Sequence, residues 1–223
     1  MTDEAPAPLL TEDDLRHITR WAILCAERAL PLFEAAVPGD SRPREAIAAA
    51  LAFAEGGPRT ATLRKAAWSA QAAARAVDDP AAKAAARAAI GAAGAPYTHP
   101  IETPHQINHI LGPAAYAIQA LSLGAEDQAF SMETELRSAI AAASQDIRRI
   151  IGKMPGRKPS KGAFHTLLYR LDTALRPLTR PRAQSPETRD QSQARDHTEA
   201  CARALPASSL IQAITVCNCG DLR

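Results

Sequence analysis

The chain has 223 residues, 26 of them basic and 24 acidic, for a formal net charge of +2. That length accommodates one domain with its own core plus a tail, and so even a charge balance gives no bulk electrostatic reason to bind nucleic acid or an anionic membrane. Apolar residues reach 46% but aromatic ones only 4%, so much of the apolar content is alanine, which buries little area and excludes any core not made of closely packed helices.

Residues 1–10, opening MTDEAPAPLL, lack the basic start and apolar block of a secretory signal and are expected to be flexible. Thr11 offers an N-cap oxygen ahead of Glu12, Asp13 and Asp14, acids that the helix dipole favours in a first turn. Leu15, Ile18, Ala22, Cys25, Ala29 and Leu32 then recur at helical spacing, predicting a helix that Val37-Pro38-Gly39 stops. In the junction Pro38-Gly39-Asp40-Ser41-Arg42-Pro43-Arg44-Glu45, Asp40 or Ser41 caps a second helix with Pro43 in its first turn. This helix runs to about Glu55, with Ile47, Ala50, Leu51 and Ala54 inward, and Gly56-Gly57-Pro58 breaks it. A third helix, about 60–77, places Leu63, Ala67, Ala70, Ala74 and Val77 on one stripe and leaves Arg64, Lys65, Gln71 and Arg75 wet.

Asp79-Pro80 opens a fourth helix that is nearly all alanine, AAKAAARAAIGAAGA, whose stability must come from helix propensity and close approach to its neighbours. Thr103-Pro104-His105-Gln106 has the form of a capping box starting a fifth helix, which Gly112-Pro113 is expected to bend or restart before Leu123. A sixth and longest helix is expected from Glu126 to Gly152, with Met132, Leu136, Ile140, Ala143, Ile147 and Ile150 on one face. The basic connector GKMPGRKPSKG leads to a last amphipathic helix with Phe164, Leu167, Leu168, Leu171 and Leu175 inward, closed by Pro177. From there to about Thr198 almost no large apolar residue occurs, so burial cannot offset chain entropy. The expectation is an all-α domain over 11–176, six or seven helices in a bundle or in stacked antiparallel hairpins, with a largely disordered tail at 177–223. Charged residues interrupt every apolar run short of the roughly 18–20 residues of a membrane span, and the location expected is cytoplasmic.

Candidate chemistry is sparse. His99, Glu102, His105 and His109 lie within THPIETPHQINH, and neutral imidazoles four apart on a helix can share a metal that a carboxylate completes. The HExxH context is missing, however, and histidines at a helix start more often cap it or face solvent, so no metal or other cofactor is expected. In the tail, His197, Cys201, Cys217 and Cys219 supply four zinc-type ligands, but a Cys-x-Cys pair fits a tetrahedral edge poorly. Cys25 sits on the buried stripe, where a thiol is inert. Neither GxxxxGK[ST] nor GxGxxG occurs, which argues against ATP hydrolysis and dinucleotide redox chemistry. Arg148, Arg149, Lys153, Arg157, Lys158 and Lys161 could touch phosphate or an acidic protein, although a helix C-terminus favours cations in any case.

Residues 21–54, WAILCAERALPLFEAAVPGDSRPREAIAAALAFA, carry a more specific signal. This run resembles the Imm-five-like immunity-protein family in its Trp-Ala-x-x-Cys-Ala-Glu-Arg helix, its Leu-Pro-Leu-Phe-Glu segment and its Pro-x-Asp-x-Arg-Pro-Arg-Glu junction. The likeness continues through ARAVDDPAAKAAARAA at 74–89 and LGPAAYAIQAL at 111–121, and covers about residues 11–123. The resemblance implies a non-catalytic protein that neutralises a co-encoded toxin by binding it in the cytoplasm, and it carries over no catalytic residue. Capping accounts for Pro38, Gly39, Asp40, Ser41 and Pro43 of the junction. Arg42, Arg44 and Glu45 are left over, and are expected either to fix the first helical hairpin by salt bridges or, together with Asp40, to face a partner. The alternatives from other classes are a metal-dependent helical enzyme built on His99, Glu102, His105 and His109, and a scaffold or DNA-associated protein using the basic run at 148–161.

Overall fold

The computed structural model describes residues 9–101, 103 and 105–176. These residues belong to one unit, Met1–Leu178, and a second unit spans Thr179–Arg223. The expected disorder of 177–223 and the ligand set His197, Cys201, Cys217 and Cys219 fall outside the described residues. Among the described residues there are eight α-helices and no strand: α1 (Glu12–Ala36), α2 (Arg42–Ala54), α3 (Ala61–Ala76), α4 (Pro80–Gly94), α5 (Gln106–Leu123), α6 (Gln128–Ala141), α7 (Gln145–Lys153) and α8 (Ala163–Leu175), with a 3-10 turn at Ala95–Tyr97 after α4. The all-α expectation holds.

The start of α1 is over-determined. Thr11 and Asp14 form a reciprocal capping box, each side chain accepting the other's backbone N–H at 3.1 Å. Leu10 and Leu15, in the positions of a hydrophobic staple, are both buried. α1 packs against α2, α4, α5 and α7, so it buries far more than one stripe: Trp21, Ile23, Leu30 and Phe33 join the predicted face. α2 departs from the predicted pattern at one point, for Leu51 is exposed and Phe53 takes its place in the core.

The alanine-rich α4 is the centre of the fold, touching α1, α2, α3 and α5 and burying nine alanines. Only a helix without large side chains can be approached from so many directions, because the closest axial distances need the smallest contact residues. At Gly91 even a Cβ would lie 2.8 Å from Pro113 Cγ and 3.3 Å from Pro113 Cα on α5. We therefore expect Gly91→Ala to destabilise the protein by about 1 kcal/mol. The better helix propensity of alanine returns about 1 kcal/mol, while overpacking against a stiff proline ring costs about 1–3 kcal/mol. A urea midpoint that rises in the variant would sink that account.

Two predictions about helix continuity are corrected. Pro113 does not restart α5, which runs as one helix from Gln106 to Leu123. The residue before a proline normally leaves the α region because its Cβ strikes the proline Cδ, and Gly112 has no Cβ. The expected sixth helix is instead two, since α6 ends at Ala141 and Ser144 caps α7 through its bond from the Ile147 N–H at 3.3 Å. The break leaves carbonyls at the end of α6 that distant side chains satisfy: Trp21 Nε1 donates to Ala139 O at 3.1 Å, and Arg148 Nη2 to Ile140 O at 3.0 Å.

Candidate partner-binding site

Three of the four charged residues of the junction are paired within the first hairpin, while Arg44 and Glu45 stay exposed. Arg42 donates from Nε to Asp40 Oδ1 at 2.8 Å and from Nη2 to Oδ2 at 2.5 Å, a bidentate pair spanning the turn into α2. The Arg42 guanidinium holds the Asp40 carboxyl below the usual carboxylate range and is itself held above its ordinary value. Arg44 reaches back to α1, donating to both oxygens of Glu34 at 2.6 and 2.7 Å. Ser41, whose side chain makes no cap bond, donates to Glu45 at 2.6 Å. Positive φ at Gly39, 87°, permits the tight exit from α1. One ion pair, Arg42 with Asp40, thus closes the turn between α1 and α2, and a second, Arg44 with Glu34, ties the start of α2 to the end of α1. Arg44 stays 62% exposed in its side chain while doing so.

Much of the basic run is likewise occupied. Asp14, with 3% of its side chain exposed, receives Arg149 Nη2 on Oδ1 and Lys153 Nζ on Oδ2, each at 2.8 Å, which clamps α7 to the start of α1. Burial alone would raise the Asp14 pKa, but the bonds from Lys153, the Thr11 N–H and Arg149 outweigh it and hold the carboxyl at about 2. The Arg157 N–H donates to Asp172 Oδ2 at 2.7 Å. Lys158 and Lys161 are exposed.

Of the histidine cluster, His99, His105 and His109 are described and Glu102 is not. The His105 and His109 rings meet edge to face, 5.1 Å between centroids. Partial burial, then the neighbouring His105 and His99, hold His109 below its ordinary pKa. Among the described residues no three His, Cys, Asp or Glu side chains are grouped so as to hold a metal ion. Cys25 is buried, and desolvation pushes its thiol up to about 12, against a smaller opposing pull from Arg28, so it is no nucleophile.

The feature that sequence reading passed over is a cleft of about 460 Å³ where the first half of α3 faces Tyr97 of the 3-10 turn and the segment 98–100 that follows it. On α3, Arg64 and Trp68 are one turn apart on the face left to solvent, and Trp68 is 68% exposed. Across from them stand Tyr97, Thr98 and His99, with Arg59 at the near edge. The Tyr97 hydroxyl donates to Thr60 O at 2.9 Å, tying the turn to the start of α3, and the Arg64 guanidinium lies over the Tyr97 ring at 5.0 Å from its centroid. Trp, Tyr and Arg in one exposed cluster are the residues that carry binding energy at protein interfaces. The available signal was Trp68 itself, placed four after Arg64 on a stripe of polar positions. Tyr97 to His99, some thirty residues further along, gave none.

A family model described as Imm-5 like putative immunity protein matches residues 8–145, a stretch holding the junction and the cleft. Comparison with curated proteins and with solved structures finds no match. Because the matched stretch is more than half of the 223 residues and includes the run at 21–54 that carried the resemblance, the chain belongs to the Imm-5 like putative immunity protein family.

Proposed function

We propose that this protein is an antitoxin-type immunity protein that binds a cognate toxin in the cytoplasm and neutralises it by occluding the toxin's working surface, without chemistry of its own. The observation that carries this reading is the match of the Imm-5 like family model over residues 8–145. A rigid all-α body displaying an exposed Trp68 beside Arg59, Arg64 and Tyr97 suits partner recognition, because preorganised aromatic and guanidinium groups lose little freedom on binding. Among the described residues no helix is long and apolar enough to cross a membrane, which agrees with binding away from the bilayer.

Asp40, Arg42, Arg44 and Glu45 belong at the rim of this recognition surface, where charge steers encounter rather than holds the complex. They lie at the opposite end of α2 from the loop that leads to Arg59, about 20 Å away along a helix of 13 residues. Co-expression with the toxin encoded beside this gene should restore growth, and the two purified proteins should form a complex. Failure of the wild-type chain to do either overturns the reading. Within that complex, reversing the charge of Arg42 and Arg44 should slow association roughly tenfold at low salt; an unchanged rate removes the junction from the interface.

A further inference from the structure

Resting on the immunity reading, the geometry points to the cleft of Arg59, Arg64, Trp68, Tyr97 and Thr98 as the seat of an acidic segment of the partner, with a carboxylate held by the two guanidiniums and the Thr98 hydroxyl and the adjoining residue packed on the Trp68 indole. Three independent features of the site specify that occupant.

The first is unspent positive charge. Arg28, Arg42, Arg44, Arg149 and Arg170 each hold a carboxylate within 4 Å. Among the described residues Arg59 and Arg64 hold none, and no acid lines the cleft. Arg64 is nevertheless fixed, stacked over a tyrosine ring that is itself hydrogen-bonded to Thr60 O. A guanidinium held in place with its edge N–H groups unused is prepared for a planar two-oxygen acceptor.

The second is a missing hydrogen bond. Thr98 lines the cleft, is only 5% exposed, and its Oγ1 has no partner among the described residues. A hydroxyl buried without a partner is costly to the folded chain. Its oxygen has almost no free surface, so a carboxylate seated in the cleft satisfies it by turning the Thr98 side chain toward the occupant. The third is Trp68. The chain has two tryptophans, and it buries Trp21 to 2% while leaving Trp68 two-thirds in water. An indole next to paired cations fits a peptide that follows its carboxylate with an apolar side chain.

A nucleic acid also offers anion and ring together, but it would require a longer basic track than this surface supplies. The formal charge is only +2, and Arg149 and Lys153 are already committed to Asp14. A free phosphate would use the guanidiniums and leave the indole idle.

The indole N–H resonances of the full-length protein provide the test, with buried Trp21 as the internal control. The probes are a blocked hexapeptide of alternating Asp and Leu, its Asn-Leu counterpart, inorganic phosphate and an oligothymidylate. The Asp-Leu peptide should shift Trp68 and leave Trp21 in place. R59A/R64A should weaken that response on the order of tenfold or more. T98V, which removes the unpaired hydroxyl at nearly constant shape, should weaken it roughly 2- to 10-fold with no loss of thermal stability. The proposal is overturned by an absent Trp68 shift, by an equal response to the Asn-Leu peptide or to phosphate, by tighter binding of the oligothymidylate, or by R59A/R64A responding as wild type does. If wild-type protein fails to protect against the neighbouring toxin while Trp68 still answers the Asp-Leu peptide, the immunity reading falls and the acid-binding cleft stands. If an R59A/R64A/W68A chain protects as well as wild type, the cleft falls and the immunity reading stands.

Discussion

Trp21→Ala should cost about 3–5 kcal/mol, the range for truncating a large buried aromatic, and should lower the melting temperature by roughly 2–4 °C for each of those kcal/mol. Trp21 is 2% exposed near the middle of α1, and its indole N–H is also the donor that the α6–α7 break requires at Ala139 O. Trp21→Phe separates the two contributions. It keeps most of the packing and leaves the carbonyl unpaired, so it should cost about 1–2 kcal/mol and should make the end of α6 the first segment to exchange its amide protons. Urea unfolding followed by circular dichroism supplies both values. Equal losses in the two variants would mean that the hydrogen bond, not the ring, carries the effect, and a loss below about 1 kcal/mol in Trp21→Ala would contradict the packing described here.

The second large effect depends on pH. The Asp14 carboxyl titrates at about 2 when folded, against an ordinary value of 3.8. The pKa is depressed on folding, so the stabilisation is complete above the ordinary value and disappears as pH falls through the range from about 5 to 2. Its size at neutral pH is about 2 kcal/mol by linkage. Asp14→Asn should therefore be less stable than wild type by about that amount at pH 7, and the two stability curves should converge only below about pH 2, under the folded pKa. Asp40 and Glu133 also have depressed pKa values, owing first to the hydrogen bonds from Arg42 and Arg170 respectively, and they add to the acid sensitivity of both proteins alike. The difference between wild type and variant isolates Asp14. A gap that stays constant from pH 7 to pH 2.5 would remove the ion cluster as its cause and leave only the lost cap.

Local signals translated well where the deciding contacts were local. Thr11 with Asp14 and Asp79 with Ala82 are caps closed within three residues where the sequence placed them, whereas α5, for which a capping box was expected at Thr103, has His105 at its N-cap with no side-chain cap bond. The α6–α7 break was less visible because apolar spacing runs smoothly from Met132 to Ile150, and periodicity does not register a change of axis. Ser144 followed by Asp146 was the missed start signal. Pro113 failed in the opposite sense. A helix-breaking residue was accommodated by the glycine before it and by the Gly91 notch on α4, which belongs to another helix.

The sequence by itself determined the all-α class, the start and stop of most helices, the alanine character of the core and, through the run at 21–54, the family. These follow from capping chemistry, helical spacing and composition, all of which act within a few residues along the chain. Only the tertiary structure decided which charges are spent and which remain available. Arg44 is committed to Glu34 and Arg149 to Asp14, over separations of 10 and 135 residues. Arg59 and Arg64 meet Tyr97 and Thr98 across a cleft that no carboxylate lines among the described residues. Ion pairing and desolvation depend on distances through space of a few ångströms, and that information exists only once α4 has brought its neighbours together.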